Sequence, residues 1–373
     1  MIKKSKLKRC TICVNTETRP RITFDENGAC NACQWHEEKR TIVDWNARWK
    51  ELENFCEKYR SSSGYYDCLV PVSGGKDSSY VAYMMKHEMG MNPLCINVVP
   101  PLAYDIGWEN LYNFMKAGYD CIIINPDPQI TKTISRRNFI EHGQPLLSWI
   151  TNVQVAVFKT AIKFNIPFVM FGEDGEVEYG GNTKLKNTPI YDIEHSIKIY
   201  LSGIDPDQYK HEFTEKDLYW WLYPSEEDFR NAGLAIAHWS YFEHWDPYKH
   251  YLLAKEKCGL KERKIASVGT YNNYAQTDTV IFDLHCYLMY LKFGFGRCTQ
   301  DVGFDIRRGG MNRKQGIELV KKFDGLYPEP YIKEYLDYFE MDQKEFDEAL
   351  DNSANKDLFE KVDGRWVPTF SIE

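Results

Sequence analysis

The sequence contains no apolar run long enough to cross a bilayer, although 43% of its 373 residues are hydrophobic. The best stretch, residues 280–295, includes Asp283, His285 and Lys292, and this pattern predicts a half-buried helix. The basic segment 1–9 is followed by cysteines rather than by the apolar stretch of a secretory signal. We therefore expect a cytoplasmic protein without a membrane span.

The chain also lacks an excess of positive charge. Its formal net charge is -8 at pH 7, whereas binding to nucleic acid requires clustered Lys and Arg for the phosphates. A local basic pocket for a phosphorylated substrate remains compatible with this balance. The sequence shows no internal repeat and no low-complexity tract. We expect a globular chain with a sizeable core and no nucleic-acid partner.

Four of the eleven cysteines stand in two Cys-x-x-Cys pairs, Cys10 with Cys13 and Cys30 with Cys33. In a cytoplasmic chain such cysteines favour metal binding over disulfides. Two pairs at this spacing predict a tetrahedral zinc site, and four thiolates leave no open position, so the site should be structural. An iron–sulfur cluster and redox-active thiols remain alternatives. Most other cysteines lie in apolar contexts and are expected to be buried thiols.

Short apolar runs alternate with helical patterns in the middle of the chain. The predicted strands are residues 66–72, 93–99, 121–125 and 166–171, and the predicted helices are 78–89, 109–117 and about 145–164. This alternation predicts parallel strands joined by right-handed crossovers. The expected fold class is therefore α/β with a Rossmann-like sheet.

Three regions are expected along the chain. Residues 1–60 form a cysteine-paired segment with a helix over 41–59, residues 61–300 form the α/β domain, and residues 301–373 form a C-terminal helical region. The helical pattern of this last region extends from 316 to 361. Within the α/β domain, residues of about 182–260 are rich in Trp and Tyr. They either cover the carboxyl ends of the strands or add to the core.

The segment Ser73-Gly74-Gly75-Lys76-Asp77-Ser78-Ser79 follows one predicted strand and opens a predicted helix. Its glycines allow a sharp turn close to an anion, and the helix start offers free N–H groups and a favourable dipole. The serines can donate hydrogen bonds, Lys76 adds charge, and Asp77 can hold Mg²⁺ or orient the loop. The spacing matches neither a Walker A loop nor the Gly-x-Gly-x-x-Gly fingerprint.

This loop resembles, letter for letter, the Ser-Gly-Gly-x-Asp-Ser signature of the PP-loop ATP-pyrophosphatases, which have a HUP-type fold. The resemblance implies ATP as cofactor, cleaved between its α- and β-phosphates. It implies catalytic roles for Lys76, Asp77, Asp174 and Arg297. Mg²⁺ would be held by Asp77 and by the turn Glu173-Asp174. The implied nucleotide site consists of Val72, Ser73, Gly74, Gly75, Asp77, Ser78, Ser79, Asn97 and Gly172.

The cysteine pairs and several later motifs narrow the resemblance. Residues 19–28, 44–45, 292–297, 305–307 and 316–320 are similar to those of the N-acetyl sugar amidotransferase family of surface-polysaccharide and flagellin-glycan pathways. Members are thought to convert an acetamido group into an acetamidino group. The amide oxygen would attack the α-phosphate of ATP, and ammonia would then displace AMP.

The family resemblance also implies substrates and partners. The acceptor would be a nucleotide-linked N-acetyl sugar, and Arg297, Arg307 and Lys292 are candidates to contact phosphates or an anionic sugar. Helix-surface charge explains these cations equally well. No general base is evident. The chain shows no glutaminase motif, so ammonia would come from solution or from a separate subunit similar to the glutaminase of imidazole glycerol phosphate synthase.

Three other functions remain open at this stage. A PP-loop tRNA sulfurtransferase would need catalytic cysteines near the loop and a basic RNA-binding face. The acidic balance and the isolated positions of Cys121 and Cys258 disfavour it. Amide synthesis on a sugar carboxylate uses the same activation by ATP. A non-catalytic zinc-binding scaffold would have no need of the intact loop.

Overall fold

The computed structural model describes residues 5–191, 201 and 203–373. At its centre is a parallel five-stranded sheet. The strands are β2 (Cys68–Pro71), β3 (Pro93–Val98), β4 (Cys121–Ile124), β5 (Phe168–Phe171) and β6 (Ala235–His238), in the order β4-β3-β2-β5-β6. The order reverses direction at β2, which creates a crevice at the carboxyl ends of the strands. The predicted α/β, Rossmann-like fold class is confirmed.

Helices connect the sheet strands and cover both faces. They are α3 (Lys76–Tyr83), which continues as a π-helical turn (Met84–Glu88), α4 (Asp105–Lys116), α5 (Pro128–His142) and α6 (Leu147–Phe164). Helix α5 was not predicted. It begins after Asp127, whose side chain accepts from two backbone N–H groups, and it ends at Gly143 in the left-handed conformation. Cap residues therefore define a helix whose apolar periodicity is weak.

The amino-terminal segment contains two helices, α1 (Asn31–Thr41) and α2 (Trp45–Tyr59). The sequence predicted a single helix over 41–59. The side chain of Asp44 accepts a 3.0 Å hydrogen bond from the N–H of Ala47 and so starts α2 as its N-cap. Strand β1 (Ser5–Lys6) pairs with the last strand of the chain, β9 (Phe370–Ser371), in parallel.

The aromatic-rich stretch contributes a strand and core residues. It includes α7 (Gly175–Tyr179), a 3₁₀ turn (Pro206–His211), α8 (Glu226–Ala232), β6, α9 (Trp239–Phe242) and α10 (Pro247–Cys258). Trp221 and Trp239 are completely buried, and Trp239 and Trp245 belong to the core cluster beneath the sheet. Residues 192–200 and 202 of the predicted insertion lie outside the described residues.

The carboxyl-terminal part is helical as far as residue 353. Its helices are α11 (Ile281–Phe293), α12 (Arg297–Arg307), α13 (Arg313–Phe323), a 3₁₀ turn (Glu329–Tyr331), α14 (Ile332–Phe339) and α15 (Gln343–Ser353). The predicted helical pattern reached 361, but that residue lies in β7 (Phe359–Val362), which forms a hairpin with β8 (Arg365–Pro368). Across the described ranges, no helix combines the length and the apolar character that a membrane span requires.

A buried ion pair attaches the amino-terminal segment to the α/β domain. The Nζ atom of Lys39 lies 2.6 Å from Glu178 Oε2, and the two side chains are 4% and 2% exposed. Trp35 Nε1 donates to the other carboxylate oxygen at 3.1 Å. Removing one partner of such a pair strongly destabilises the fold, because the remaining charge then has no partner in a region that water does not reach.

We predict that Lys39→Met lowers the free energy of unfolding by about 3 kcal/mol. The double variant Lys39→Met/Glu178→Leu should recover most of this loss, because it also removes the unpaired carboxylate. Lys50→Met is the control, since Lys50 pairs with Glu53 at an exposed position, and it should leave stability unchanged. Urea unfolding measures all three variants. Equal effects of Lys39→Met and Lys50→Met would contradict the prediction.

Candidate functional site

The segment 73–79, which we call the phosphate loop, lies where β2 ends and α3 begins. Gly74 has a φ of +79°, and a Cβ atom at this position would lie 2.4 Å from the backbone nitrogen of Leu111. Only glycine fits so close to α4. Gly75 stands before α3 in an extended conformation, and no side chain caps this helix. The first N–H groups of α3 therefore lack a side-chain acceptor and can bind an anion.

Two loop serines stabilise the turn itself. Ser78 Oγ accepts from the N–H of Ser73 at 3.2 Å and donates to the carbonyl of Gly75 at 3.3 Å. Ser73 Oγ accepts from the N–H of Gly75 at 3.3 Å. Ser79 is completely buried, and its hydroxyl has no hydrogen-bond partner among the described residues. The phosphate contacts predicted for these serines stay predictions.

A cavity of about 200 Å³, which we call the phosphate cavity, lies over the loop. Its floor is the end of β2 together with the start of α3, and Gly172 and Glu173 form one wall. Residues 274–278, an irregular segment before α11, also line the cavity. We call these five residues the roof segment. The segment has neither periodicity nor a known motif, so nothing in the sequence marks it as part of a site. The lining comprises Val70, Pro71, Ser73, Gly75, Lys76, Asp77, Ser78, Val81, Gly172, Glu173, Tyr274, Ala275, Gln276, Thr277 and Asp278.

Asp77 is held by a cation and by a histidine. Lys76 Nζ forms an ion pair with Asp77 Oδ2, and His250 Nδ1 lies 2.9 Å from Oδ1. Burial opposes ionisation of this carboxyl, but Lys76 and His250 lower its pKa to about 2. His250 is completely buried, with its ring 4.1 Å from that of Tyr80 and 4.2 Å from that of Trp245. The carboxylate is thus fixed in position and remains charged.

The two carboxyls of the predicted metal turn differ in their surroundings. Glu173 lines the cavity, and burial together with the nearby charge of Asp77 raises its pKa to about 7. Asp174 is the N-cap of α7 and accepts from the N–H groups of Glu176 and Val177. Tyr191 donates to its second oxygen, and Asp174 is absent from the cavity lining. The geometry therefore favours Glu173 over Asp174 as a metal ligand.

A third carboxyl, Asp278, reaches the cavity from the roof segment. Its side chain accepts a hydrogen bond from Ser73, and burial raises its pKa. The cavity thus contains Asp77, Glu173 and Asp278, with Lys76 as a nearby cation. A phosphate chain among three carboxyls requires a divalent cation for charge balance, and oxygen ligands suit Mg²⁺. Carboxylate oxygens suit the predicted metal, and Asp278, which the sequence did not point to, adds a third one to the lining; the three carboxyls do not form a close ligand cluster among the described residues.

The predicted cationic residues occupy three different places. Arg297 starts α12, where its Nε donates to Asp301 at 2.8 Å, and it borders a cleft that also includes Lys76. Arg307 donates to the carbonyl of Glu178 at 3.3 Å and lies near the cysteine sulfurs. Lys292 donates to the carbonyl of His142, the last residue of α5, and to that of Gly143 at 3.0 Å. Only Arg297 lies next to the phosphate cavity.

Gly172 lines the cavity, whereas Asn97 lines a smaller neighbouring pocket that shares Ser73 and Asp278 with it. Asn97 Nδ2 donates to the carbonyl of Val72 at 2.8 Å and so joins the ends of β3 and β2. Its Oδ1 is buried and has no hydrogen-bond partner in the described part of the chain. Gly172 accepts from the N–H of Ser240, and a Cβ atom on it would lie 3.2 Å from the ring of Trp245. Both predicted residues lie at the expected edge.

The four paired cysteines converge on one point. Their Sγ atoms all lie within 4.8 Å of one another, with Cys10 and Cys33 3.8 Å apart and Cys13 and Cys30 3.7 Å apart. All four are buried. A tetrahedral ion with bonds of about 2.3 Å to sulfur has sulfur–sulfur edges of about 3.8 Å. The cluster could therefore hold a single metal ion without rearrangement.

The parallel sheet places the Ser-Gly-Gly-Lys-Asp-Ser loop after its central strand and beside a carboxyl-lined crevice, as the resemblance to PP-loop proteins implies. Residues 268–371 match the family model described as "LPS biosynthesis protein WbpG-like, C-terminal domain". This part contains the roof segment and most of the late motifs. The resemblance to a surface-polysaccharide family is confirmed over these residues.

Comparison with individual proteins gives more distant matches. The uncharacterised protein MJ1599 of Methanocaldococcus jannaschii is 29% identical over 125 residues, which are 32% of this chain and 43% of that protein. The match thus spans less than half of that relative's length.

Two solved structures are also similar. The NH₃-dependent NAD synthetase of Campylobacter jejuni, in complex with nitrate, is 14% identical over 51% of this chain and 92% of its own, with a TM-score of 0.29. The U34-tRNA thiolase NcsA of Methanococcus maripaludis, with its [4Fe-4S] cluster, is 12% identical over 82% of this chain and 87% of its own, with a TM-score of 0.32.

We predict that Glu173→Gln stabilises the nucleotide-free protein at pH 8 but not at pH 5. The pKa of Glu173 is about 7 in the folded protein and 4.5 ordinarily. Stability is therefore lost as the pH rises between these values, because only the unfolded chain ionises freely there. Glutamine removes this loss, which amounts to about 1–3 kcal/mol. Urea unfolding without Mg²⁺ at both pH values measures the effect.

The control for this experiment is Glu37→Gln. Glu37 is 60% exposed on the surface of α1, so its replacement should change stability equally at the two pH values. A gain for Glu173→Gln of the same size at pH 5 and pH 8 would contradict the pKa assignment.

Proposed function

We propose that the chain is an ATP-dependent sugar amidotransferase that forms AMP and pyrophosphate. It would convert the acetamido group of an N-acetyl sugar into an acetamidino group during the synthesis of a bacterial surface glycan, such as lipopolysaccharide O-antigen, capsule or flagellin glycan. One observation carries the proposal. The phosphate loop and the roof segment line one cavity. The roof segment belongs to the part of the chain that matches a lipopolysaccharide-biosynthesis family.

The loop residues have defined tasks in ATP binding. The start of α3 would bind the β- and γ-phosphates through its N–H groups, and Lys76 would add a positive charge. Mg²⁺, held by oxygens among Asp77, Glu173 and Asp278, would neutralise the phosphate charge. His250 keeps Asp77 oriented through its 2.9 Å hydrogen bond. The closed turn at Gly74 brings the loop against α4.

The reaction then needs positioning and charge rather than a protein nucleophile. The amide oxygen attacks the α-phosphorus, the bond to the β-phosphate breaks, and pyrophosphate leaves. Ammonia adds to the resulting imidate carbon, the carbon–oxygen bond breaks, and AMP leaves with the former amide oxygen. Holding the acceptor and ATP together accounts for much of the rate. Ammonia would come from solution or from a separate glutaminase subunit in the cytoplasm.

The cavity lining disfavours the sulfurtransferase alternative. No cysteine is among the described residues that line the cavity. Among the described residues, the cysteine quartet is the one group of three or more His, Cys, Asp or Glu side chains whose ligand atoms all lie within 4.8 Å of one another, and it is outside the cavity lining. Sulfur transfer at the loop would need a thiol or a cluster there, whereas amidine formation needs neither.

The quartet itself is proposed to hold structural zinc. In a [4Fe–4S] cluster each thiolate binds a different iron, so the sulfurs would lie farther apart than the observed 3.7 and 3.8 Å. Backbone N–H groups also donate to the sulfurs, for example Cys30 to Cys10 Sγ at 3.2 Å. Such an N–H donor stabilises the thiolate form of the sulfur that accepts from it.

We predict about one zinc and no iron per chain in the purified protein. Cys30→Ser should release the zinc, because three thiolates and a weak hydroxyl ligand bind it less tightly. Cys121→Ser, at a half-buried thiol on β4, should keep it. Elemental analysis measures both metals. Several irons with inorganic sulfide would overturn the zinc assignment.

The proposed reaction is tested with ATP, Mg²⁺, ammonium and a panel of nucleotide-linked N-acetyl sugars. We expect acceptor-dependent release of pyrophosphate and a product lighter by about one mass unit, in which fragmentation locates the change at the acetamido group. Asp77→Asn should slow the reaction at least about 100-fold, because it removes a charge held in the cavity. Asp337→Asn, at an exposed pair, is the control.

Three results would contradict this proposal. Unchanged turnover by Asp77→Asn would remove the assigned site. A mass change located at a carboxylate would favour amide synthesis instead. Sulfur incorporated into copurified tRNA would favour the sulfurtransferase.

A further inference from the structure

We propose that a cleft beside the phosphate cavity binds the acceptor sugar, an assignment that rests on the proposed function. The cleft shares Lys76 and Tyr274 with the phosphate cavity, so the two spaces are adjacent. A molecule in the cleft would therefore have one end next to the loop. We call it the acceptor cleft and define it by Lys76, Tyr248, Asn272, Tyr274, Asp305 and Arg308.

Two tyrosine rings form the apolar side of the acceptor cleft. The ring centroids of Tyr248 and Tyr274 lie 6.2 Å apart at an interplanar angle of 67°. Tyr274 is fixed by stacking on Tyr251 at 4.2 Å, whereas Tyr248 is 39% exposed. The negative faces of such rings attract the weakly positive C–H groups of a pyranose.

The polar side of the cleft offers donors and acceptors in alternation. Arg308 lies over Tyr248, with Cζ 4.7 Å from the ring centroid, and its Nε donates to Asp305 at 2.6 Å. Tyr271 donates to the other Asp305 oxygen at 2.5 Å. Each sugar hydroxyl both donates and accepts, so neighbouring guanidinium and carboxylate groups match it. An RNA acceptor would need clustered cations instead.

The distribution of these residues along the chain supports a role in choosing the acceptor. Asn272, Tyr274, Asp305 and Arg308 all lie in residues 268–371, the part matched by the lipopolysaccharide-biosynthesis family. The phosphate loop lies outside that part. The cleft thus places family-matched side chains directly beside a nucleotide loop.

The cleft is narrow in this structure, with about 20 Å³ of space. A pyranose would enter when Tyr248 rotates outward, which its exposure allows. Tyr248 and Arg308 should therefore set the affinity for the acceptor and not the affinity for ATP.

The test uses the full chain with UDP-N-acetylglucosamine as the first probe and other nucleoside diphosphate N-acetylhexosamines as the panel. Tyr248→Leu and Arg308→Gln should each weaken the calorimetric Kd of the bound sugar nucleotide by about tenfold or more, and leave the Kd of ATP within about twofold. Two matched controls should change neither Kd. Tyr65→Leu removes a ring that is 66% exposed, and Arg40→Gln removes an Arg paired three residues away with Glu37.

Each outcome decides one of the two proposals. Wild-type protein that binds no member of the panel, or variants that bind the sugar nucleotide as well as wild type, would overturn the acceptor cleft. Equal weakening of ATP and sugar binding would overturn it too. If the variants lose sugar binding while wild type forms no acetamidino product, the cleft stands and the proposed reaction fails.

Discussion

The ionised carboxylate of Asp77 is the constraint on which the rest of the site depends. Lys76 and His250 keep it charged although Glu173 lies close enough for its own pKa to rise. His250 belongs to α10, which packs on α3 and follows β6 and α9. The electrostatics of the loop therefore depend on a helix that follows the last strand of the central sheet in the sequence. The orientation of Asp77 in the loop thus depends on His250, which lies 173 positions away in the sequence.

Local patterns predicted much of this molecule, and contacts distant in sequence account for the rest. The loop, the cysteine pairs and four strands are each encoded within short segments. Strand β6 has only four residues, between Leu234 and Trp239, so no periodicity marks it. The roof segment reaches the cavity because it packs against α4. His250 reaches Asp77 because its helix packs against α3. The capping role of Asp174 could have been predicted from the sequence, since an Asp directly before a short helix is a typical N-cap.

The cysteine segment stabilises the wall of the cavity from outside. Asn15, next to the quartet, donates to the carbonyl of Tyr179, and Asn31 donates to that of Gly181. The Lys39–Glu178 pair holds the same short helix. These contacts fix the chain just after Glu173. A metal ion in the quartet would thus act on the cavity through backbone position and not through chemistry, which agrees with its closed coordination.

The roof segment has an evolutionary consequence, because it and the loop are separate stretches of sequence. The loop is encoded before residue 80, whereas the roof segment and four of the six residues that define the acceptor cleft are encoded after residue 270. Substitutions in the roof segment can therefore alter the shape of the cavity without changing the strands, because irregular surface chain tolerates sequence change more readily than a sheet does.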